Sequence, residues 1–173
     1  MTLRTFISRL NWRQVLVHFV AFWFFIYAFQ TLSYLYDTKL IDTVRQSNGQ
    51  DTIKILGDSG TTAADVTYFL LWTNASGFIG LLVAFIISLI ISFKRHWFWM
   101  NSLIAFILTY LLYRFDFLGW TYLKPVFLYL GQKFNNSTVE FLVNGIILLT
   151  IGLLVFFLQR PNQIIETKKL ATE

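Results

Sequence analysis

Residues 76–92 carry a helical stripe of small residues within a run that is otherwise strongly apolar. The stripe recurs at every fourth position, which on an α-helix places its members on one nearly straight face. Its members are Ser76, Gly80, Ala84, Ser88 and Ser92. Helices in a bilayer associate by close backbone approach and by hydrogen bonds, and small side chains permit both. The stripe therefore predicts a contact between membrane helices.

A second helix face with small residues lies near the end of the chain. Gly145 and Gly152 stand seven residues apart in another apolar run, so they lie on the same side of a helix. We expect this face to be a helix-packing surface as well. Together the two faces are the best-developed features of the sequence.

Composition places the chain among integral membrane proteins. Of its 173 residues, 56% are hydrophobic and 13% are charged, whereas soluble domains have about 45–50% and about 25%. Cysteine is absent and histidine occurs twice, so thiol chemistry is excluded and a metal centre is not expected. The net charge of +5 comes from basic residues beside apolar runs, which is typical of orientation signals. We predict no metal, no cofactor and no nucleic-acid partner.

The hydropathy pattern predicts an all-α polytopic protein, a four-helix transmembrane bundle in the cell (inner or plasma) membrane. A membrane helix needs about 20 apolar residues. The predicted spans are residues 15–36, 66–93, 98–117 and 139–158. We expect a cytoplasmic amphipathic helix at residues 1–14 and an interfacial helix within the outer loop 118–138. The remaining segments are an outer loop at 37–65, a cytoplasmic turn at 94–97 and a cytoplasmic tail at 159–173.

Basic residues near the spans set the predicted orientation. Arg9 and Arg13 precede the first span, and Lys94 and Arg95 follow the second. Lys and Arg concentrate on the cytoplasmic side of membrane proteins. We therefore predict that both termini are cytoplasmic and that residues 37–65 face away from the cytoplasm.

Local signals predict how several elements begin. Thr62 and Asp65 indicate a capped start for the second long helix, and Ser137 and Glu140 have capping-box spacing before the fourth. Residues 53–56 stand between two turn signals and are predicted to form a short strand.

Polar residues inside the spans fall at two depths when the spans are laid side by side at 1.5 Å per residue. The first level, which we call the amide level, contains Gln30, Asn74, Arg114 and Asn144. His18 and Asn101 form a second level near the cytoplasmic side. One interpretation is that the three amides bond to one another, because an unpaired amide is costly in hydrocarbon. The alternative is that the amide level is a cleft for a lipid headgroup or an anionic partner.

The function that the sequence favours is structural. Few polar groups lie between the two levels, which weighs against conduction through one subunit. No paired acids, thiol or histidine beside a nucleophile indicate an enzyme. We therefore expect a non-catalytic small membrane protein that is a subunit or assembly partner of a larger membrane complex through its small-residue faces. Its expected partners are other membrane proteins, copies of itself and lipids. The alternative is a homo-oligomeric channel or transporter whose polar path forms between subunits.

Overall fold

The structure is a computed structural model that describes residues 10–46, 52–115, 134 and 136–157. These residues form helices and no strand. In chain order the helices are α1 (Trp12–Ser33, continued by a 3-10 turn at Tyr34–Tyr36), α2 (Thr38–Gln46), α3 (Thr52–Asp58), α4 (Ala63–Lys94), α5 (Met100–Arg114) and α6 (Ser137–Phe157). Residues 1–9, most of the predicted interfacial segment 118–138 and the predicted tail 159–173 lie outside the described residues.

Three of these helices are long and apolar enough to cross a membrane. They are α1 with its 3-10 extension, α4 and α6. The fourth apolar helix, α5, has 15 residues, which corresponds to about 22 Å at 1.5 Å per residue. The predicted all-α class is confirmed, and the long apolar helices identify a membrane protein.

α1 is the central helix, because α4, α5 and α6 each pack against it. Three of its core side chains, Phe22, Phe25 and Ile26, are no more than 2% exposed. Moving a side chain of this size from water into a protein core stabilises a fold by about 1.5–3 kcal/mol. Between membrane helices the alternative surroundings are lipid, so the stabilisation comes from close packing instead. Contact on several sides explains why α1 lacks one dominant buried stripe.

Contacts along α1 give the directions of the other helices. His18, near the start of α1, lies beside Ser88, near the end of α4. Asn101, at the start of α5, accepts a hydrogen bond from Asn11, which directly precedes α1. At the other end, Tyr34 packs edge-on against Phe141, near the start of α6. Consequently α4 and α6 run antiparallel to α1, and α5 runs parallel to it.

The predicted capped start of α4 is confirmed. Thr62 Oγ1 accepts a hydrogen bond from the Asp65 backbone N–H at 3.2 Å, and the Asp65 carboxylate accepts one from the Thr62 backbone N–H at 2.8 Å. The pair satisfies two backbone groups that a helix start otherwise leaves without an intrahelical partner.

The capping box predicted from Ser137 and Glu140 is wrong. Asn136 caps α6 instead, and its Oδ1 accepts hydrogen bonds from the backbone N–H groups of Thr138 and Val139. The side chains of Ser137 and Glu140 turn towards α2. An ion pair with a neighbouring helix has replaced the local cap.

The short strand predicted at residues 53–56 is also wrong, because Thr52–Asp58 is helical. A strand without a neighbour leaves its backbone groups unpaired, whereas a helix satisfies them internally. The short helix packs beside α2. No strand in the described part of the chain would pair with it.

α4 ends in a Schellman motif that places an aromatic ring over the bundle. The His96 N–H donates to the Phe93 carbonyl and the Trp97 N–H to the Ser92 carbonyl. His96 has φ = 52°, a left-handed conformation that glycine usually adopts at this position of the motif. The turn brings the Trp97 ring centroid to 6.2 Å from that of His18.

Candidate functional site

The small-residue stripe of α4 faces α1 of the same chain, and all of its members are buried. At Gly80 the two helices approach closely, since an added Cβ would lie 2.6 Å from the Phe25 carbonyl oxygen and 2.9 Å from Phe29 Cβ. Side-chain carbons do not approach that closely. The stripe is thus a groove that receives the backbone of α1.

The glycine face of α6 receives α1 from another side. A Cβ at Gly145 would lie 2.5 Å from Leu32 Cδ2, and one at Gly152 would lie 2.8 Å from Phe25 Cδ2. Both small-residue faces are therefore filled from within the chain. Contact with a partner protein has to use other surfaces.

A buried group of polar side chains joins α1, α4 and α5 at the end of the bundle that holds Lys94. We call it the polar cluster. Its members are Gln14, His18, Ser88, Ser92, Asn101 and Ser102, all buried. The predicted level of His18 and Asn101 is thus part of a larger cluster. Gln14 stands one turn before His18 and Ser102 follows Asn101, so their positions were readable from the sequence but were missed.

Hydroxyl groups connect the His18 ring to two helices. Ser88 Oγ lies 2.7 Å from His18 Nδ1, and Ser102 Oγ lies 3.3 Å from the same atom. Ser102 Oγ also lies 2.9 Å from Ser92 Oγ. Two members of the α4 stripe therefore contribute hydrogen bonds as well as close packing.

An amide pair forms the other half of the polar cluster. Asn101 Nδ2 donates to Gln14 Oε1 at 2.8 Å, and Asn101 Oδ1 accepts from the Asn11 backbone N–H at 3.2 Å. Asn11 is the N-cap of α1 and accepts from the Gln14 N–H. Asn101 thereby fixes the start of α5 to the start of α1.

The distance between Ser88 Oγ and His18 Nδ1 is the one expected for a catalytic nucleophile and its base. The two side chains are, however, closed off from any substrate. Neither residue is exposed at all. The imidazole is surrounded by the rings of Phe22, Trp97 and Phe156, and among the described residues none offers a hydrogen-bond partner to its Nε2. A substrate cannot reach the hydroxyl while the helices stay packed, so the contact serves to position helices.

Within the amide level, a tyrosine of α5 connects α1 to α4. Gln30 Nε2 lies 3.0 Å from the Tyr113 hydroxyl, and that hydroxyl lies 3.4 Å from the Asn74 carbonyl oxygen. The Asn74 side chain donates to the Leu70 carbonyl of its own helix. Gln30 and Asn74 are therefore brought to one place, but their amide side chains do not bond to each other.

The other two residues of the amide level have contrasting surroundings. Asn144 is 1% exposed on the inner side of α6. Arg114 is exposed in the last turn of α5. Tyr113, which the sequence analysis overlooked, links the Gln30 side chain to the Asn74 backbone.

An ion pair at the same end of the bundle was not predicted. Arg45 of α2 donates two hydrogen bonds to the Glu140 carboxylate of α6, at 2.7 and 2.9 Å. The Arg45 guanidinium also lies 5.2 Å from the centre of the Phe141 ring. Ser137 donates to Asp42 beside the pair. These contacts hold α2 against the first turn of α6.

An apolar layer separates the polar cluster from the amide level. Its side chains are no more than 2% exposed. They are Phe22, Phe25, Ile26, Leu81, Ala84, Ala105, Leu148 and Phe156. The described interior between the two polar levels is therefore mainly apolar. It also contains the buried Thr109, whose hydroxyl donates to the Ala105 carbonyl of its own helix, and the buried indole N–H of Trp23.

No protein-family model matches the chain, and no curated protein or solved structure matches it.

Proposed function

We propose that the chain is a non-catalytic membrane protein that acts as a subunit or assembly partner of a larger membrane complex. The observation that supports this proposal is that the side chains of the polar cluster bond mainly to one another across three helices and lie against a mainly apolar interior. A path for ions or polar solutes needs polar groups or a wet cavity near the membrane centre. With its interior committed to packing, the chain would act through its outer surface.

We further propose that the chain crosses the inner or plasma membrane four times with both termini in the cytoplasm. α5 alone is shorter than the hydrocarbon layer of about 30 Å, so its span would include neighbouring residues within 98–117. Arg13 at the start of α1 lies at the same end of the bundle as Lys94 and Arg95, since α1 and α4 are antiparallel. Basic residues gathered at one end favour that end as the cytoplasmic one.

Cysteine labelling tests this orientation cleanly, because the chain has no native cysteine. Ser59→Cys, in the turn before α4, should react with a membrane-impermeant maleimide in intact cells. Thr172→Cys should react only after the membrane is permeabilised. The reverse pattern would overturn the orientation, and labelling of both variants in intact cells would contradict an even number of spans.

Native mass spectrometry after mild detergent extraction tests the assembly role. The expected result is a complex in which at least one different protein accompanies the chain, with the chain alone released in a dissociating detergent. A homo-oligomer without other proteins would instead support the alternative function, a channel or transporter whose polar path forms between copies. A monomer that carries lipids alone would contradict both functions.

A further inference from the structure

A groove with mainly aromatic walls lies at the end of the bundle where α4 begins. Its volume is about 330 Å³, and its lining residues are Tyr36, Tyr68, Leu71, Trp72 and Ala75. Small-molecule sites begin at about 300 Å³, so the groove matches a small chemical group rather than a second helix. None of the five lining residues carries a charge.

The aromatic walls come from two separate segments. Tyr68 and Trp72 stand one turn apart on the same face of α4. Tyr36 reaches this face from the 3-10 turn after α1, and its ring centroid lies 6.2 Å from that of Trp72, with the planes inclined at 47°. Three ring systems therefore border one space that opens to the surroundings.

The electrostatic setting of the groove favours a cation. The faces of aromatic rings are negative and attract ammonium groups within about 6 Å of the ring centre. Asp37 follows Tyr36 directly, and Asp65 stands one helical turn before Tyr68. Local hydrogen bonds from backbone N–H groups hold both carboxylates, that of Asp37 from Leu40 and that of Asp65 from Thr62.

The groove continues into a surface that suits hydrocarbon. Below Ala75, the same face of α4 exposes Ile79, Leu82 and Ile86, which follow at steps of three and four residues. A ligand with a cationic head and an apolar tail would contact both parts at once. Free choline or another soluble cation would contact the aromatic part alone.

We propose that this groove binds the ammonium headgroup of a zwitterionic phospholipid, whose acyl chain lies along the exposed face of α4. The aromatic rings and the two neighbouring carboxylates select the cationic headgroup, and the isoleucine and leucine side chains hold the tail. An anionic lipid such as phosphatidylglycerol lacks the ammonium group and is disfavoured by Asp37 and Asp65. The site is independent of the proposed assembly role.

Lipid retention by the full-length protein tests this site. The delipidated protein in detergent is mixed with equal amounts of phosphatidylcholine, phosphatidylethanolamine and phosphatidylglycerol, and the bound lipids are counted by native mass spectrometry. The zwitterionic lipids should be retained in preference to phosphatidylglycerol. Trp72→Leu should lower their retention by about two- to fivefold, which corresponds to one exposed cation–π contact. Tyr36→Leu, on the opposite wall, should have a similar effect.

Trp99→Leu is the matched control, because Trp99 and Trp72 are both 44% exposed and Trp99 lies at the other end of the bundle. Its lipid retention should equal that of the unmodified protein. Equal losses in the Trp72 and Trp99 variants would mean that the groove is only part of an aromatic belt at the membrane surface. Equal retention of phosphatidylglycerol, or displacement of the lipid by an equal concentration of free choline, would also overturn the proposal.

Discussion

Gly80→Leu should lower the stability of the bundle more than any other single substitution on the stripe of α4. The added side chain would begin 2.6 Å from a backbone carbonyl of α1, and a backbone atom cannot move aside as a flexible side chain does. Overpacking of a well-packed core costs about 1–3 kcal/mol and occasionally more, so we expect a loss of about 3 kcal/mol. Thermal unfolding of the protein in detergent measures it.

Leu82→Phe is the control for this substitution, since Leu82 is 37% exposed on the opposite face of α4. It should change the midpoint of unfolding very little, because an added ring there meets lipid or detergent. Gly80→Ala should fall between the two variants. Equal effects of Gly80→Leu and Leu82→Phe would show that α4 does not pack on α1 through its small-residue stripe.

Arg45→Met should give the second large effect, because it leaves the Glu140 carboxylate without its main partner. The Glu140 side chain is 4% exposed and that of Arg45 is 44% exposed. Breaking a fully buried pair costs about 3–5 kcal/mol. Because water reaches Arg45 and screens its charge, we expect a smaller loss of stability here, about 2 kcal/mol. The change is measured as a shift in the midpoint of thermal unfolding.

The double variant Arg45→Met with Glu140→Met separates the pair from its surroundings. Removal of both charges leaves no unpaired carboxylate, so most of the lost stability should return. Arg45→Lys should recover only part of it, because lysine cannot make the bidentate contact. A double variant that is as unstable as Arg45→Met alone would show that the pair contributes little.

The Arg45 contribution should not fall as the pH is raised from neutral through the range where the protein can be assayed. The hydrogen bond to Glu140 is the main cause that raises the pKa of Arg45 above its ordinary value. A raised pKa stabilises the fold fully below the ordinary pKa of the group, and that stability is lost only as the pH rises through the raised value. Both values are strongly alkaline, so the guanidinium stays charged.

Patterns within one helix were readable from the sequence. The spacing of Ser76, Gly80 and Ala84 marked the face of α4 that is buried, and Thr62 with Asp65 marked its capped start. Such patterns depend only on the period of the helix and on local hydrogen bonds. They identify a buried face but not the helix that covers it, so the central place of α1 was not foreseen.

Contacts between distant segments escaped prediction for a physical reason. Arg45 and Glu140 stand 95 residues apart, and no local pattern links a short helix such as α2 to the first turn of a later one. The same pair explains the wrong capping box, since Glu140 bonds to α2 and Asn136 takes over the cap. Tyr113 was overlooked because a tyrosine near a span end is usually an interfacial anchor.

The central position of α1 also bears on how the protein is made. Chains are synthesised from the N-terminus, so α1 is made before the three helices that pack against it. Until α4 and α5 arrive, Gln14 and His18 lack the serine and asparagine side chains that bond to them in the finished bundle. Among the four helices packed in the bundle, α1 therefore depends on side chains that are synthesised after it, as far along the chain as Ser102.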